Sequence, residues 1–427
     1  MTQKADRSNC FKCKGDKNLC VPHRCPMRTK LYGLQPVQRA LSNEKNIDGF
    51  VPPSFFVGSS NWPNLTINPM MSVLDQVPDL LDEPDNWKIQ YSIPDIVKFR
   101  SHLIRASAGR IDVKNIHDNK YRTQRKILET SQELLMSQNP THTYIELEKP
   151  LRVDLGFSTY TSPMGPVGRV KQISLEDTPK INYKIDRVVS DTDNTATNAV
   201  NELWSDNLTV TQINRIFSAG MLGTKKNRRV VPTRWSITAT DDILTKKMIE
   251  KIKDFNVIDH YEVWRSDYLD NHFRILIRPY EWSFEFLEAW KRPQDGSFIS
   301  TNKSPWMFGH DWEYHEGRKT YAKSSQGGYY ATRLAVVEHL LKKLRKQAEV
   351  IVFREVGEDY FIPLGVWQVR ENVRNAFSSN SLMYEGNEEK LALDYLFQDL
   401  RISKKLLTTK SILLKRKNRQ LRLSRFL

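Results

Sequence analysis

All four cysteines of this 427-residue chain fall within its first 25 positions, at Cys10, Cys13, Cys20 and Cys25. The spacing is C-x2-C-x6-C-x4-C, and the remaining 402 residues carry none. In a reducing compartment such a cluster holds a metal more often than it pairs as two disulfides. Four thiolates meet the tetrahedral preference of Zn²⁺ and leave no coordination position open, so the metal would be structural. Gly15 and Pro22 supply turns that fold so short a segment back on itself, and His23 is a substitute ligand if one cysteine is not used. The expectation is a zinc knuckle over residues 1–30, and no thiol outside it to serve as a nucleophile.

The other extreme feature lies at the opposite end. Residues 401–427 carry ten Lys or Arg and no acid. The whole chain is +15 from 65 basic and 50 acidic residues, so about two thirds of the excess sits in those last 27 positions. The globular part is therefore close to neutral, and net charge says little about its partners. No apolar run is long enough to span a bilayer, and the first residues lack the apolar core of a secretory signal, so a cytoplasmic protein is expected.

Between the two ends the pattern is mixed, and the expected fold class is α+β. A proline-rich passage, SNEKNIDGFVPPSFFVGSSNWPNLTINPMM, has turn signals every few residues, yet Phe50, Phe55, Phe56 and Trp62 are too apolar for a free linker. It reads as an ordered arm packed on the body. Helices are expected from Pro94 to a stop at Gly109 and from Lys120 to Ser137. TYIELE, RVDLGF, RVKQISL and INYKIDRVV read as strands by their period of two. Two short helices follow, over 193–205 and 209–218, a helix-turn-helix in outline only. Asp241 and Asp242 read as the cap of a helix over 243–254. A hairpin over 257–278 turns at Asp270-Asn271. Leu334, Val337, Leu341 and Leu344 give a helix over 329–348 its buried stripe.

Three constellations carry possible chemistry. Lys225, Lys226, Arg228, Arg229 and Arg234 fall within ten positions and suit phosphate contacts. Arg318 and Lys319 precede Gly327-Gly328, with Arg333 one turn further on; glycines before a helix N-terminus leave backbone N–H groups for an anion. This is not a P-loop, because G-K-[ST] is lacking. The third is acidic: His310, Asp311, Glu313 and His315, which would need to converge on a divalent metal to cut phosphodiesters. A charge run is usually a solvated face, so each of these also has an ordinary reading.

Several stretches together resemble the archaeal Nre family of DNA-repair proteins: CFKCKGDKNLCVPHRCP, VPPSFFVG, RRVVPTRWSITATDD, HFRILIRPYEWSFE, GRKTYA with GGYYATRLAVVEHL, and GVWQVRENVR. The resemblance covers about residues 10–400. It implies an N-terminal region over 31–290, a C-terminal region over 291–400 and a role in the response to DNA damage, without saying which residues do chemistry.

The chain closes on Gln420, Leu423, Phe426 and Leu427 in the pattern Q-x-x-L-x-x-F-L. This resembles the peptide by which replication and repair proteins bind the ring-shaped sliding clamp (PCNA). One helical turn puts Leu423, Phe426 and Leu427 on one side as an apolar plug, with the Gln420 amide at the pocket edge. The usual last pair is two aromatics, so Phe426-Leu427 should bind more weakly. The expected function is a DNA-repair factor docked on the clamp by a 401–427 basic tail, binding DNA or nucleotide phosphate through its body and associated with the nucleoid. The alternative is an enzyme acting on a phosphorylated substrate, nuclease or nucleotide-processing, delivered by that peptide. No membrane partner is expected.

Overall fold

A computed structural model describes residues 24–41, 44–74, 80–151, 164–291 and 305–416. Cys10, Cys13, Cys20 and His23, the RVDLGF segment, and Gln420, Leu423, Phe426 and Leu427 lie outside them. Among the described residues the chain is α+β with two sheets, and it divides into two compact units: 1–244 with 361–368, and 245–360 with 369–427. The passage between them falls inside a helix and not in the segment after Lys291.

The first unit opens with α1 (Pro26–Ala40), entered through Cys25, whose carbonyl accepts from both the backbone N–H and the hydroxyl of Thr29. Its sheet is built from β1 (Asn46–Val51), β2 (Phe55–Val57), β3 (Asn64–Ser72), β4 (Leu103–Ser107), β5 (Arg110–Asp112), β6 (Thr141–Leu147) and β7 (Val167–Leu175). The passage expected to be an arm is thus three strands of this sheet. Its turn residues punctuate strands that are paired on neighbours distant in sequence, and those partners leave no local mark.

Five of these strands close a ring. β1 pairs antiparallel with β6 and, at Phe50–Ser72, with β3. β3 continues to β4 antiparallel, β4 pairs parallel with β7, and β7 returns to β6 antiparallel. Numbered within the ring, the order is first, second, third, fifth, fourth, with third and fifth parallel. α3 (Arg122–Met136) is inserted between third and fourth, after α2 (Ile93–Ser101) before the third. This is the connectivity of an OB-type Greek-key barrel. β6 alternates buried and half-buried residues along its length, as a barrel stave should. Gly109 does not stop a helix: α2 ends at Ser101, and Gly109 takes φ +83° in the turn between β4 and β5.

After the barrel come α4 (Tyr183–Ser190), α5 (Ala196–Ser205), α6 (Val210–Ser218) and α7 (Thr233–Lys253). INYKIDRVV is a helix, not a strand. The Asn182 side chain accepts from Lys184 N–H as a cap, and Ile185 and Val188 are buried at helical spacing. Asp241 and Asp242 sit in the middle of α7, which starts ten residues earlier than expected, so they cap nothing; Asp241 is fully buried. Arg215 on α6 pins the unit: it is buried and donates to Glu83 (2.5 Å), Asp82 and the Pro53 carbonyl. Burial works against its charge, but Glu83 and Asp82 outweigh it and raise its pKa.

The second unit holds six strands in the order β11-β10-β12-β9-β8-β13. They are β8 (Tyr261–Tyr268), β9 (Asn271–Arg278), β10 (Ser283–Lys291), β11 (Trp306–Glu313), β12 (Glu349–Val356) and β13 (Leu382–Gly386). The β8–β9 turn is at Leu269-Asp270, one residue before the expected place, with both residues at positive φ. β12 is buried throughout, as a central strand covered on both faces should be. α8 (Gly327–His339) is buried almost all round and continues as a π-turn over Leu340–Leu344. α9 (Val366–Ala376), whose residues up to Gln368 count with the first unit, α10 (Glu389–Leu396) and α11 (Lys404–Lys410) follow.

Residues 401–416 are not a free basic stalk. Ile402, Leu407 and Leu413 join the core with Leu276, Leu287, Ile351 and Phe353. The buried Glu285 carboxylate accepts from the Ser411 hydroxyl (2.5 Å), Ile412 N–H (2.6 Å) and Leu413 N–H (3.2 Å). The charge of this stretch hid an amphipathic strap: its leucines face the sheet, and most of its lysines stay in solvent.

Candidate functional site

The basic run Lys225–Arg234 lies in the first unit, on a loop that folds back on α6 and, from Thr233, on the first turn of α7. Gly220, at φ +75°, lets the returning chain pass so closely that a Cβ there would meet the Arg229 carbonyl carbon at 2.6 Å. Val231 N–H then donates to the Ser218 carbonyl, and Met221, Leu222 and Val230 are buried beneath. Arg228 turns inward, donating to the carbonyls of Gly223 (2.8 Å) and Asp191 (2.9 Å). Half-burial lowers its pKa, partly offset by Asp191. It is a staple of the loop. Lys225, Lys226, Arg229 and Arg234 are exposed, so one arginine fixes the loop and four cations face solvent. Fixed cations at this density suit phosphates spaced along a backbone.

The glycine-led constellation has a different outcome. Asp311 accepts from the N–H groups of Ser324 and Ser325 and from the Ser325 hydroxyl, just before α8. The loop does hold an anion, and the anion is a carboxylate of the same unit. Arg318 donates to Asp311 (3.1 Å) and to the Trp312 carbonyl, and Arg333 donates to Glu313 (2.6 Å). Both guanidiniums lie over the Tyr329 ring, at 5.1 and 5.3 Å. Burial pushes the Tyr329 hydroxyl well above its ordinary pKa, and Glu313 adds to this. The arginines and acids that read as two constellations are therefore one internally neutral network. Arg333 is 2% exposed and out of reach of a ligand in solvent; Lys319 and Lys323, on the same loop, are the exposed cations of this group. His310 bonds the Glu285 carboxylate (2.6 Å) and stacks on Trp312. Among the described residues no three His, Cys, Asp or Glu side chains converge to hold a metal ion. Cys25, the described member of the cysteine cluster, is buried.

Sequence reasoning missed Trp62 and Trp235. They are 38% and 46% exposed, and their rings meet at 5.0 Å with a 45° tilt. The local signals were an aromatic set among turn formers in Asn61-Trp62-Pro63, and another beside the last arginine of the basic run.

Two family models cover most of the chain: archaeal Nre, N-terminal, over residues 19–294, and archaeal Nre, C-terminal, over residues 313–426. The chain belongs to the archaeal Nre family. Its curated relatives include DNA repair protein NreA of Archaeoglobus fulgidus, 34% identical over 90% of this chain and 92% of the relative. DNA repair protein NreB of the same organism is 32% identical over 90% and 91%. DNA repair protein NreA of Haloferax volcanii is 35% identical over 77% of each. No solved structure matches the chain. The Nre N-terminal match contains the barrel and the exposed basic loop. The Nre C-terminal match contains the Asp311–Arg318 network in part and the strap entirely. The compact units divide at 244, inside the N-terminal match, so the β8–β9–β10 half of the second sheet belongs to that match.

Proposed function

We propose that this chain is a cytoplasmic, nucleoid-associated DNA-repair protein that contacts DNA phosphates through the loop bearing Lys225, Lys226 and Arg229 and through Arg234 at the start of α7. Its docking peptide, Gln420 with Leu423, Phe426 and Leu427, brings it to the sliding clamp, and Cys10, Cys13, Cys20 and Cys25 hold a structural zinc. The observation that carries the DNA contact is this surface: three exposed cations on a loop stapled by Arg228, and a fourth, Arg234, where α7 begins. The relatives' names support the repair role, and their alignment along most of the chain supports extending it here. The clamp reading rests on the spacing of four residues, and the zinc reading on a donor set of four thiolates.

Two measurements test this reading. DNA affinity should fall as salt rises, and reversing Arg229 and Arg234 to Glu should reduce the slope of log K against log salt by about 1 to 2; an unchanged slope would move the DNA contact elsewhere. Clamp binding should vanish when the chain stops after Arg416, a truncation that removes none of the strap's contacts with Glu285. Persistent binding would sink the peptide assignment.

A further inference from the structure

The exposed tryptophan pair lies on the barrel at a defined place. Trp62 belongs to the connection between the first and second strands of the ring, and Trp235 to the first turn of α7. The two are brought together by Thr233, whose hydroxyl accepts from Val57 N–H (2.8 Å) and bonds the Ser218 hydroxyl (3.2 Å). The same tie sets the end of the basic loop against the barrel, because Val231 N–H reaches the Ser218 carbonyl. On the other side, Val113 N–H donates to the Pro63 carbonyl, which brings Lys114 to the turn bearing Trp62. Arg110 is paired opposite Thr66 on the adjoining strand. Arg110, Lys114, Arg229 and Arg234 are all exposed. Cations therefore come to the aromatic pair from the strand side and from the loop side.

A tryptophan pair left this open costs apolar surface in water, and the unit's other tryptophans are buried (Trp87 and Trp367) or half-buried (Trp204). A nucleobase has the flat, apolar face that would cover it. A base within a duplex is already stacked on both faces, whereas an unpaired base is free to stack on a side chain. We propose that the first unit binds single-stranded DNA, with bases stacked on Trp62 and Trp235 and phosphates met by Arg229 and Arg234 on one side and Arg110 and Lys114 on the other. The second and third strands and the first connecting loop of an OB-type barrel are a place where oligonucleotides are held. The proposal rests on the phosphate-contact reading above and adds to it the strand state of the DNA and the stacking residues.

The test uses the full-length protein, oligo-dT, a duplex of equal length and oligo-U, with binding read by anisotropy and by quenching of intrinsic fluorescence. Oligo-dT should bind more tightly than the duplex and quench the tryptophan emission. Trp62→Leu and Trp235→Leu, which keep an apolar cover on each partner, should each lower oligo-dT affinity about 5- to 100-fold. Their thermal unfolding should stay within a few degrees of the parent, which excludes loss of fold. Unchanged oligo-dT binding in both variants overturns the stacking proposal and leaves the phosphate reading standing. Preference for duplex, or tighter binding of oligo-U, also overturns it. Failure of the parent protein to bind any DNA at low salt removes the phosphate reading and this proposal together.

Discussion

Arg228 and Arg229 are adjacent and have opposite uses. Arg228 gives its hydrogen bonds to two backbone carbonyls, and Arg229 is left in solvent. Arg228→Ala should therefore cost about 1–2 kcal/mol of stability in the first unit, measured by urea unfolding. Arg229→Ala should stay within about 0.5 kcal/mol and act on DNA affinity instead. Nothing in the string KKNRR separates these roles, because the difference is made by the carbonyls of Gly223 and Asp191. His339 is another residue whose behaviour is set by its surroundings. It is buried and stacked on Phe377 at 3.8 Å, and burial, helped by Lys343, lowers its pKa to about 4. A histidine held neutral in the fold takes up a proton near 6.5 when unfolded. Its contribution is present above that pH and is lost as pH falls from about 6.5 to about 4. His339→Gln should make the decline of stability over this range shallower, in urea midpoints compared at pH 7 and pH 5. An equal decline in parent and variant would assign the acid sensitivity to other groups.

The strap over 401–416 shows why charge is a poor guide to an element's place. Arg401, Lys404, Lys405, Lys410, Lys415 and Arg416 made it read as a solvated stalk. Ser403 and Ser411 cap its two helical pieces, accepting from Leu406 and Leu414 N–H, and the leucines between them supply the apolar face. Leu413→Ala should destabilise the second unit by about 2–5 kcal/mol, since Leu413 is fully buried against the sheet. Ending the chain after Ser403 should have at least as large an effect, and ending it after Arg416 little. Thermal unfolding of the three proteins checks the order; equal midpoints would mean that the strap adds nothing to the fold. The same lesson holds for INYKIDRVV, where Val and Ile in alternation suggested a strand. Capping by Asn182 and burial of Ile185 and Val188 on one side made it a helix.

Across the whole molecule, the two ends of the chain carry its most local information and the middle its least. The C-x2-C-x6-C-x4-C pattern is read without any tertiary contact; purified protein should contain one zinc per chain by atomic spectroscopy, and Cys10→Ser with Cys13→Ser should abolish it. A metal-free parent protein would end the knuckle reading. The α+β class, the hairpin near 270, the buried helix after Gly328 and the family were all legible, because each rests on periodicity, turn chemistry or long stretches in order. The exposed cations of 225–234 were legible as a run, though not which of them would be spent within the fold. What only the tertiary structure decided is pairing between distant residues. The barrel closes through Phe50–Ser72 and Arg105–Val167, partners 22 and 62 positions apart. Asp311 and Glu313 neutralise Arg318 and Arg333, and Trp62 meets Trp235 across 173 positions. A residue's own chemistry is written in the sequence, but whether that chemistry is spent inward or offered to a ligand depends on which neighbour the fold brings within a hydrogen bond's length.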